Sequence, residues 1–218
     1  MTPDKALPGY YARRAAEYEQ VYHKPERQAD LAALRTSVGD LLLGRHVLEL
    51  ACGTGYWTEC YVGRARSVVA TDIGVEVLAV AQTKPSLMNR VTFRIADAYE
   101  AAVIPGDFDA AIAGFWWSHV PVTRLKTFLT GLHRRVGSGA RIVLFDNRYV
   151  DGSSIPIARK DDQGNTYQNR QLADGSTVEV LKNFATPAMI RREVDVCGGR
   201  DVSIELLTYY WLATYVVV

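Results

Sequence analysis

Apolar residues along this chain recur with two periods, and the switches between them lay out helices and strands in alternation. Tyr10 to Tyr22 has helical spacing among Ala, Arg and Glu and stops before Pro25; Arg27 to Leu43 reads as a second helix. His46 to Leu50 is a short apolar run that breaks at once into Ala51-Cys52-Gly53-Thr54-Gly55. That is a strand followed by a glycine turn, with a helix expected from about Tyr56. Ser67 to Thr71 is a β-branched strand closing on Asp72. Val75 to Thr83 is helical until Lys84-Pro85 stops it. Val91 to Ile95 and Phe108 to Ala113 read as the third and fourth strands, Val122 to Val136 as a helix, and Ala140 to Phe145 as a fifth strand. Strands alternating with helices in this way predict βαβ units and a parallel sheet.

The tail departs from the alternation. After a helix over Pro187 to Val196, Val202 to Leu207 and Trp211 to Val218 both read as strands. The gap between them is too short for a crossover helix, so the last strand is expected to run antiparallel to its predecessor. Residues 147–185 also stand apart. They are polar, and the runs Thr166 to Leu172 and Thr177 to Lys182 flank Asp174-Gly175, a hairpin signal. An insertion after the fifth strand falls at the carboxyl edge of the sheet, where ligands bind in open α/β folds, and is read as a substrate-side cover.

Composition narrows the partners. Lys and Arg number 25 against 24 Asp and Glu, a net charge of +1, and the arginine pairs are scattered along helical segments. No basic face for nucleic acid is expected. No apolar run reaches the roughly 18 residues that span a bilayer, so no membrane association is expected. Cys52, Cys60 and Cys197 show no CxxC spacing, and their odd number is no disulfide framework; a reduced, cytoplasmic setting follows.

The most informative stretch is Val47 to Gly55. Glycines at a strand-to-helix turn let backbone approach a ligand that side chains would exclude. Asp72 ends the next strand, where a carboxylate can accept from both hydroxyls of an adenosine ribose, and Asp97 follows the third strand, within reach of an adenine amino group. A dinucleotide fingerprint would require glycine where Thr58 stands, and Tyr56 and Trp57 crowd the place of a pyrophosphate.

With these residues the chain resembles the class I S-adenosylmethionine (SAM)-dependent methyltransferases. Glu49 to Gly55 is similar to that family's glycine motif, Asp72 to its ribose-binding acid and Asp97-Ala98 to its adenine-contacting pair; Ala51 departs, standing where many members have the first glycine. The resemblance covers roughly Leu31 to Val218. It implies a three-layer, Rossmann-like α/β fold with a seven-stranded, mostly parallel sheet and an antiparallel last strand. It also implies SAM as cofactor and S-adenosylhomocysteine (SAH) as product. On this reading residues 1–218 form one domain, with 1–30 a lid helix and 147–185 the insertion. Ala51, Cys52, Gly53 and Gly55 would contact the methionine part, Ile73 would pack on the adenine, and Trp57 and Phe115 would complete the cofactor site. By resemblance to the lid of small-molecule members, Tyr11 and Arg14 would reach the methionine carboxylate; the plain alternative is a surface helix.

The chemistry end is less explicit. After the fourth strand stand Gly114-Phe115-Trp116-Trp117-Ser118-His119-Val120-Pro121. The Asn/Asp-Pro-Pro-aromatic motif of the enzymes that methylate amino groups of bases is absent. Trp116 and Trp117 suit a flat or apolar substrate, or else simply fill core. His119 is a candidate general base, the alternative being a helix-entry histidine bonded to backbone. Asp146-Asn147 resembles the Asp-Asn pair of metal-dependent catechol-type O-methyltransferases. Their further aspartate is replaced here by Gly114-Phe115, so a capping role and no metal requirement are expected. Asn147, Tyr167, Arg170 and Lys182 complete the substrate candidates.

The reading is a monomeric or homodimeric methyltransferase acting on oxygen or nitrogen of a small metabolite, with an aromatic acceptor suited to the tryptophans. The alternatives are an RNA or protein methyltransferase and a non-catalytic SAM-binding module.

Overall fold

The computed structural model describes residue 9 and residues 13–172 and 174–218. A 3-10 helix covers Ala15–Tyr22 and another Pro25–Arg27, leading into α1 (Gln28–Leu41). Then come β1 (His46–Leu50), α2 (Thr58–Tyr61), β2 (Ser67–Asp72), α3 (Val75–Thr83) and β3 (Val91–Ile95). A 3-10 segment over Ala98–Val103, which periodicity does not foresee, precedes β4 (Ala110–Gly114). Short 3-10 turns at Trp117–His119 and Val122–Arg124 lead to α4 (Leu125–Val136) and β5 (Arg141–Asn147). The insertion carries β6 (Arg159–Lys160), β7 (Thr166–Gln171) and β8 (Thr177–Leu181); α5 (Pro187–Val196), β9 (Gly199–Leu206) and β10 (Tyr210–Val217) follow.

The main sheet has seven strands in the order β3-β2-β1-β4-β5-β10-β9. Strands β1 to β5 pair in parallel, and β10 lies antiparallel between β5 and β9. The expected Rossmann-like α/β fold is the one observed.

Alternation along the central strands sorts their side chains onto two faces. Leu48, Leu50, Ala111, Ala113, Ile142 and Leu144 meet α4 and α5 through Phe128, Leu129, Leu132 and Ile190. Val47, Ala110, Ile112, Val143 and Phe145 meet α1 and α3 through Leu31, Leu34, Val38 and Leu78. Each such large apolar side chain contributes about 1.5–3 kcal/mol by burial, so every central strand is pinned on both faces. That is why strands of five to seven residues hold register.

The predicted hairpin around Asp174-Gly175 forms, with β7 against β8 from Tyr167↔Leu181 to Gln171↔Thr177. It gains β6 through Arg159↔Tyr167 and becomes a three-stranded sheet. The turn between β9 and β10 carries no Gly, Pro or Asn. It is held from outside: Tyr209 N–H donates to Asp30 Oδ2 at 2.7 Å, and Arg148 N–H donates to the Tyr209 carbonyl at 2.8 Å. Among the described residues no helix is long and apolar enough to cross a membrane.

Candidate active site

Where β1 ends the backbone turns left-handed three times, at Ala51 (φ 53°), Gly53 (φ 55°) and Gly55 (φ 75°). The three positions have different reasons. A Cβ on Gly53 would meet nothing, so its bareness leaves open space toward the cavity. A Cβ on Gly55 would lie 2.6 Å from Leu87 Cδ1 and 3.2 Å from Ala81 Cβ on α3, and Gly55 does not line the cavity: it lets the loop pack against α3 and the segment after it. Ala51 occupies a conformation that favours glycine, a local cost of order 1 kcal/mol at the site's edge.

Asp72 braces this loop. Its Oδ2 accepts from Gly53 N–H at 2.9 Å and its Oδ1 from Gly74 N–H at 2.8 Å. Burial raises its pKa above the usual carboxylate value, and these backbone donors oppose the rise. Asp97 Oδ1 accepts from Tyr99 N–H at 2.9 Å and so caps the 3-10 segment after β3. Glu49, 2% exposed, receives Thr58 Oγ1–H and Tyr61 O–H on its Oε2, each at 2.6 Å. Burial pushes its pKa up to about 7 against those two donors. Thr58, which replaces the third glycine of a dinucleotide fingerprint, is thus committed to Glu49.

One cavity runs along these strand tips. Glu49, Ala51, Cys52, Gly53, Asp72, Ile73, Asp97 and Ala98 all line it, so the acids that the sequence placed at three consecutive strands share one space. Trp57, Phe115 and Trp116 also face it. The indole N–H groups of Trp57 and Trp116 are buried with no acceptor among the described residues. The glycine cradle and the carboxylates of Asp72 and Asp97 fit an adenosyl ligand in chemistry and order. Trp116, expected on the substrate side, belongs to this cavity instead. Sequence reasoning missed Tyr18, Tyr22, Tyr99 and Arg124 here: Tyr22 stacks on Tyr56 at 4.0 Å, and the Arg124 guanidinium lies 3.5 Å from the Tyr99 ring centre. Their signal is only that of ordinary aromatic and basic helix positions.

Phe115 and His119 also line a second cavity, under the three-stranded sheet. Phe115 reaches the boundary because its backbone is left-handed (φ 57°), turning the ring against Tyr22, Phe145 and Tyr210. His119 is 4% exposed, and its Nδ1 lies 2.8 Å from the Leu181 carbonyl. A carbonyl only accepts, so Nδ1 carries the proton of the neutral ring and Nε2 is its basic nitrogen. Burial first, then the charges of Lys182 and Arg170, hold its pKa well below the ordinary histidine value. The ring is neutral at physiological pH.

The second cavity is cationic. Arg14, Lys24, Arg27, Arg170 and Lys182 line it, together with Asn147 and Gln168, and none of its described lining residues is acidic. Lys182 is buried; its Nζ donates to Ser118 Oγ at 2.6 Å and to Asp146 Oδ1 at 3.1 Å. Burial lowers its pKa to about 8 in spite of Asp146. The other Asp146 oxygen accepts Ser118 N–H at 2.8 Å, so this carboxylate is engaged by Lys182 and the loop after β4. Among the described residues no cluster of three His, Cys, Asp or Glu side chains forms a metal site.

The remaining candidates divide. Asn147, Arg170 and Lys182 line the second cavity. Arg14 does too, with Glu17 at 3.7 Å, rather than the adenosyl cavity where resemblance put it. Trp117 is core: 2% exposed, edge-on to Trp211 at 5.9 Å, it lines neither cavity. Tyr167 points away, its O–H donating to Asp161 Oδ2 at 2.9 Å. Tyr11 lies outside the described residues. Lys24 and Arg27 were not foreseen, since they read as helix-flanking charges.

Comparison with known proteins bears on the fold and the domain. The family described as a methyltransferase domain matches residues 47–139, from β1 to the loop after α4. The chain is 32% identical over 84 residues to a magnesium-protoporphyrin O-methyltransferase of Rhodobacter capsulatus. It is 30% identical over 112 residues to a demethylmenaquinone methyltransferase of Lactiplantibacillus plantarum. These matches cover 38% and 49% of this chain, and only 37% and 46% of the two relatives' lengths. Two solved structures of DhpI are similar throughout. The SAH complex has a TM-score of 0.78 at 27% identity, covering 97% of this chain and 95% of that one. The SAM–HEP complex has a TM-score of 0.78 at 26% identity, covering 97% and 96%. Residues 47–139 thus match a methyltransferase domain, and over nearly its whole length the chain is similar to proteins solved with SAM or SAH.

Proposed function

We propose that the protein transfers the methyl group of SAM to an oxygen of a small, negatively charged metabolite. The observation that carries this reading is the second cavity: five cationic side chains line it and no described acid does. Among them Arg27 is buried with only uncharged described hydrogen-bond acceptors, a cost that an acidic ligand would offset. This replaces the expectation of an aromatic acceptor, since Trp117 packs in the core and Trp116 faces the first cavity.

In the first cavity Asp72 would accept from the ribose and Asp97 from the adenine amino group, while Gly53 would let the loop approach the methionine part. Phe115 and His119, which line both cavities, would face the methyl group that SAM supplies. The acceptor's acid group sits against Lys182 and Arg170, which hold it in place and favour its ionised form. Where the attacking oxygen still carries hydrogen, His119 Nε2 takes the proton as the O–CH3 bond forms and the sulfonium becomes a neutral thioether.

The depth of the cations favours a small anion over a nucleic acid. Arg27 and Lys182 are 7% and 5% exposed, beyond reach of a polymer lying on the surface. The test is incubation with isotopically labelled SAM and fractionated small acids, with mass spectrometry of the labelled product. Label appearing in a methyl ester or ether of an acidic metabolite is expected. Label only in RNA or protein, or SAM binding without turnover on any pool, would overturn it.

A further inference from the structure

The cations of the second cavity form two groups, and only one lies beside His119. Lys182 belongs to the histidine end: its backbone follows Leu181, whose carbonyl receives His119 Nδ1–H, and its ammonium bonds Ser118 and Asp146. The other group gathers on Ser153. Arg27 donates from Nη2 to Ser153 Oγ at 3.0 Å and from Nη1 to Asn147 Oδ1 at 3.3 Å, and Lys24 Nζ donates to the Ser153 carbonyl at 2.8 Å. Between the groups stands the pair Asp146-Asn147: Asn147 Nδ2 donates to Asp146 Oδ1 at 3.1 Å, the same oxygen that receives Lys182.

The charges are balanced unequally. Asp146 answers Lys182 within ion-pairing distance. Arg27 is equally buried, yet its described hydrogen-bond acceptors are a hydroxyl, a carbonyl and an amide. The adjacent acid, Glu26, is exposed and reaches this cluster only by accepting from the Ser153 hydroxyl at 3.0 Å. Two tyrosine rings hold the guanidinium in place, Tyr209 at 5.0 Å and Tyr210 at 5.7 Å from its carbon. An arginine kept rigid, buried and facing a cavity without a carboxylate is built to meet an acid from outside the chain.

We propose that the acceptor carries two acidic groups, one beside His119 at Lys182 and a second, unmodified one held by Arg27 and Lys24, so that Arg27 selects two-headed acids over one-headed ones. This rests on the anionic-acceptor reading above and adds to it a second anchor and a minimum length.

The test is calorimetric titration of the full chain saturated with SAH, using matched pairs that differ in the second acid: ethyl phosphate against phosphoglycolate, and butyrate against succinate. The phosphate and carboxylate arms report which acid the histidine end prefers. Wild type is expected to bind the two-headed member of at least one pair about tenfold more tightly, equivalent to about 1.4 kcal/mol. Arg27→Met should bring that ratio to within about twofold, and Arg27→Lys should keep part of it. A wild-type ratio near one, or a preference that survives Arg27→Met, overturns the proposal. If Arg27→Met does not fold, the wild-type ratio and its loss in Lys24→Met decide. One-headed acids binding without any two-headed preference would sink this inference alone. If SAH binds and none of the four acids does, the anionic-acceptor reading falls as well.

Discussion

Asp72 serves two purposes with one side chain. It accepts from Gly53 and Gly74 N–H groups and so sets the glycine loop before any ligand arrives, and it lines the cavity. Hydrogen bonds to a charged acceptor contribute about 1.5–3 kcal/mol each, so Asp72→Ala should weaken SAM binding at least about tenfold by calorimetry. Unchanged affinity would remove Asp72 from the site. His119 is the complementary case, a base kept neutral by burial and by two neighbouring cations. The acid limb of its activity should therefore lie below pH 6.5, the ordinary histidine value, because the neutral form persists as pH falls. Lys182→Met should move that limb upward. His119→Ala should lower kcat by about 10²–10⁴-fold with a smaller change in KM. A limb at the ordinary value that does not respond to Lys182→Met would leave His119 as a structural histidine bonded to Leu181.

At the scale of elements, the substrate side is assembled by segments that contribute little of their own core. The three-stranded sheet of β6, β7 and β8 has a small apolar cluster of Leu172 and Val180. It is docked through polar contacts instead: Asn183 N–H donates to the Ser118 carbonyl at 2.8 Å, beside the Lys182–Asp146 pair. The β9–β10 turn depends likewise on a partner far away in the chain. Asp30, on α1, accepts Tyr209 N–H and so positions the tyrosine pair on which Arg27 rests. Asp30→Ala should cost roughly 1–3 kcal/mol, the penalty of an unanswered backbone donor, measured by urea denaturation. It should also weaken acid binding in the second cavity more than SAM binding in the first. Equal losses at both would mean that the turn acts only on global stability.

Over the whole molecule the sheet carries a buried carboxylate that works against stability at neutral pH. Glu49 titrates at about 7 in the fold against 4.5 when solvated. The folded state thus keeps a proton that the unfolded chain releases between those values, and stability falls as pH rises through that window. Replacing it with the neutral Glu49→Gln should raise the stability of the SAM-free protein at pH 8 by on the order of 1–3 kcal/mol, with little change near pH 4.5. Parallel unfolding curves of both proteins at the two pH values check this; the same difference at both would deny Glu49 its raised pKa. A carboxylate kept there at such a cost, lining the first cavity, matches a group retained for binding rather than for folding.

The parts readable from one dimension are those whose chemistry is local. The period of apolar residues specified β1 to β5 and the helices α3 and α4, because a strand or helix face needs only its own neighbours in sequence to be recognised. The glycine turn, Asp72 and Asp97 were legible for the same reason: each sits at a strand end, and a parallel sheet brings consecutive strand ends to one edge. Tertiary structure decided what local pattern cannot express. Trp117 and Tyr167 were drawn into packing, and Gly55 into contact with α3, since which face of a short loop is buried depends on what lies across from it. The second cavity joins Lys24 and Arg27 to Asn147, Ser153 and Lys182, residues more than a hundred positions apart. Their shared positive potential exists only after the chain has folded back on itself, because charge adds through space and not along sequence.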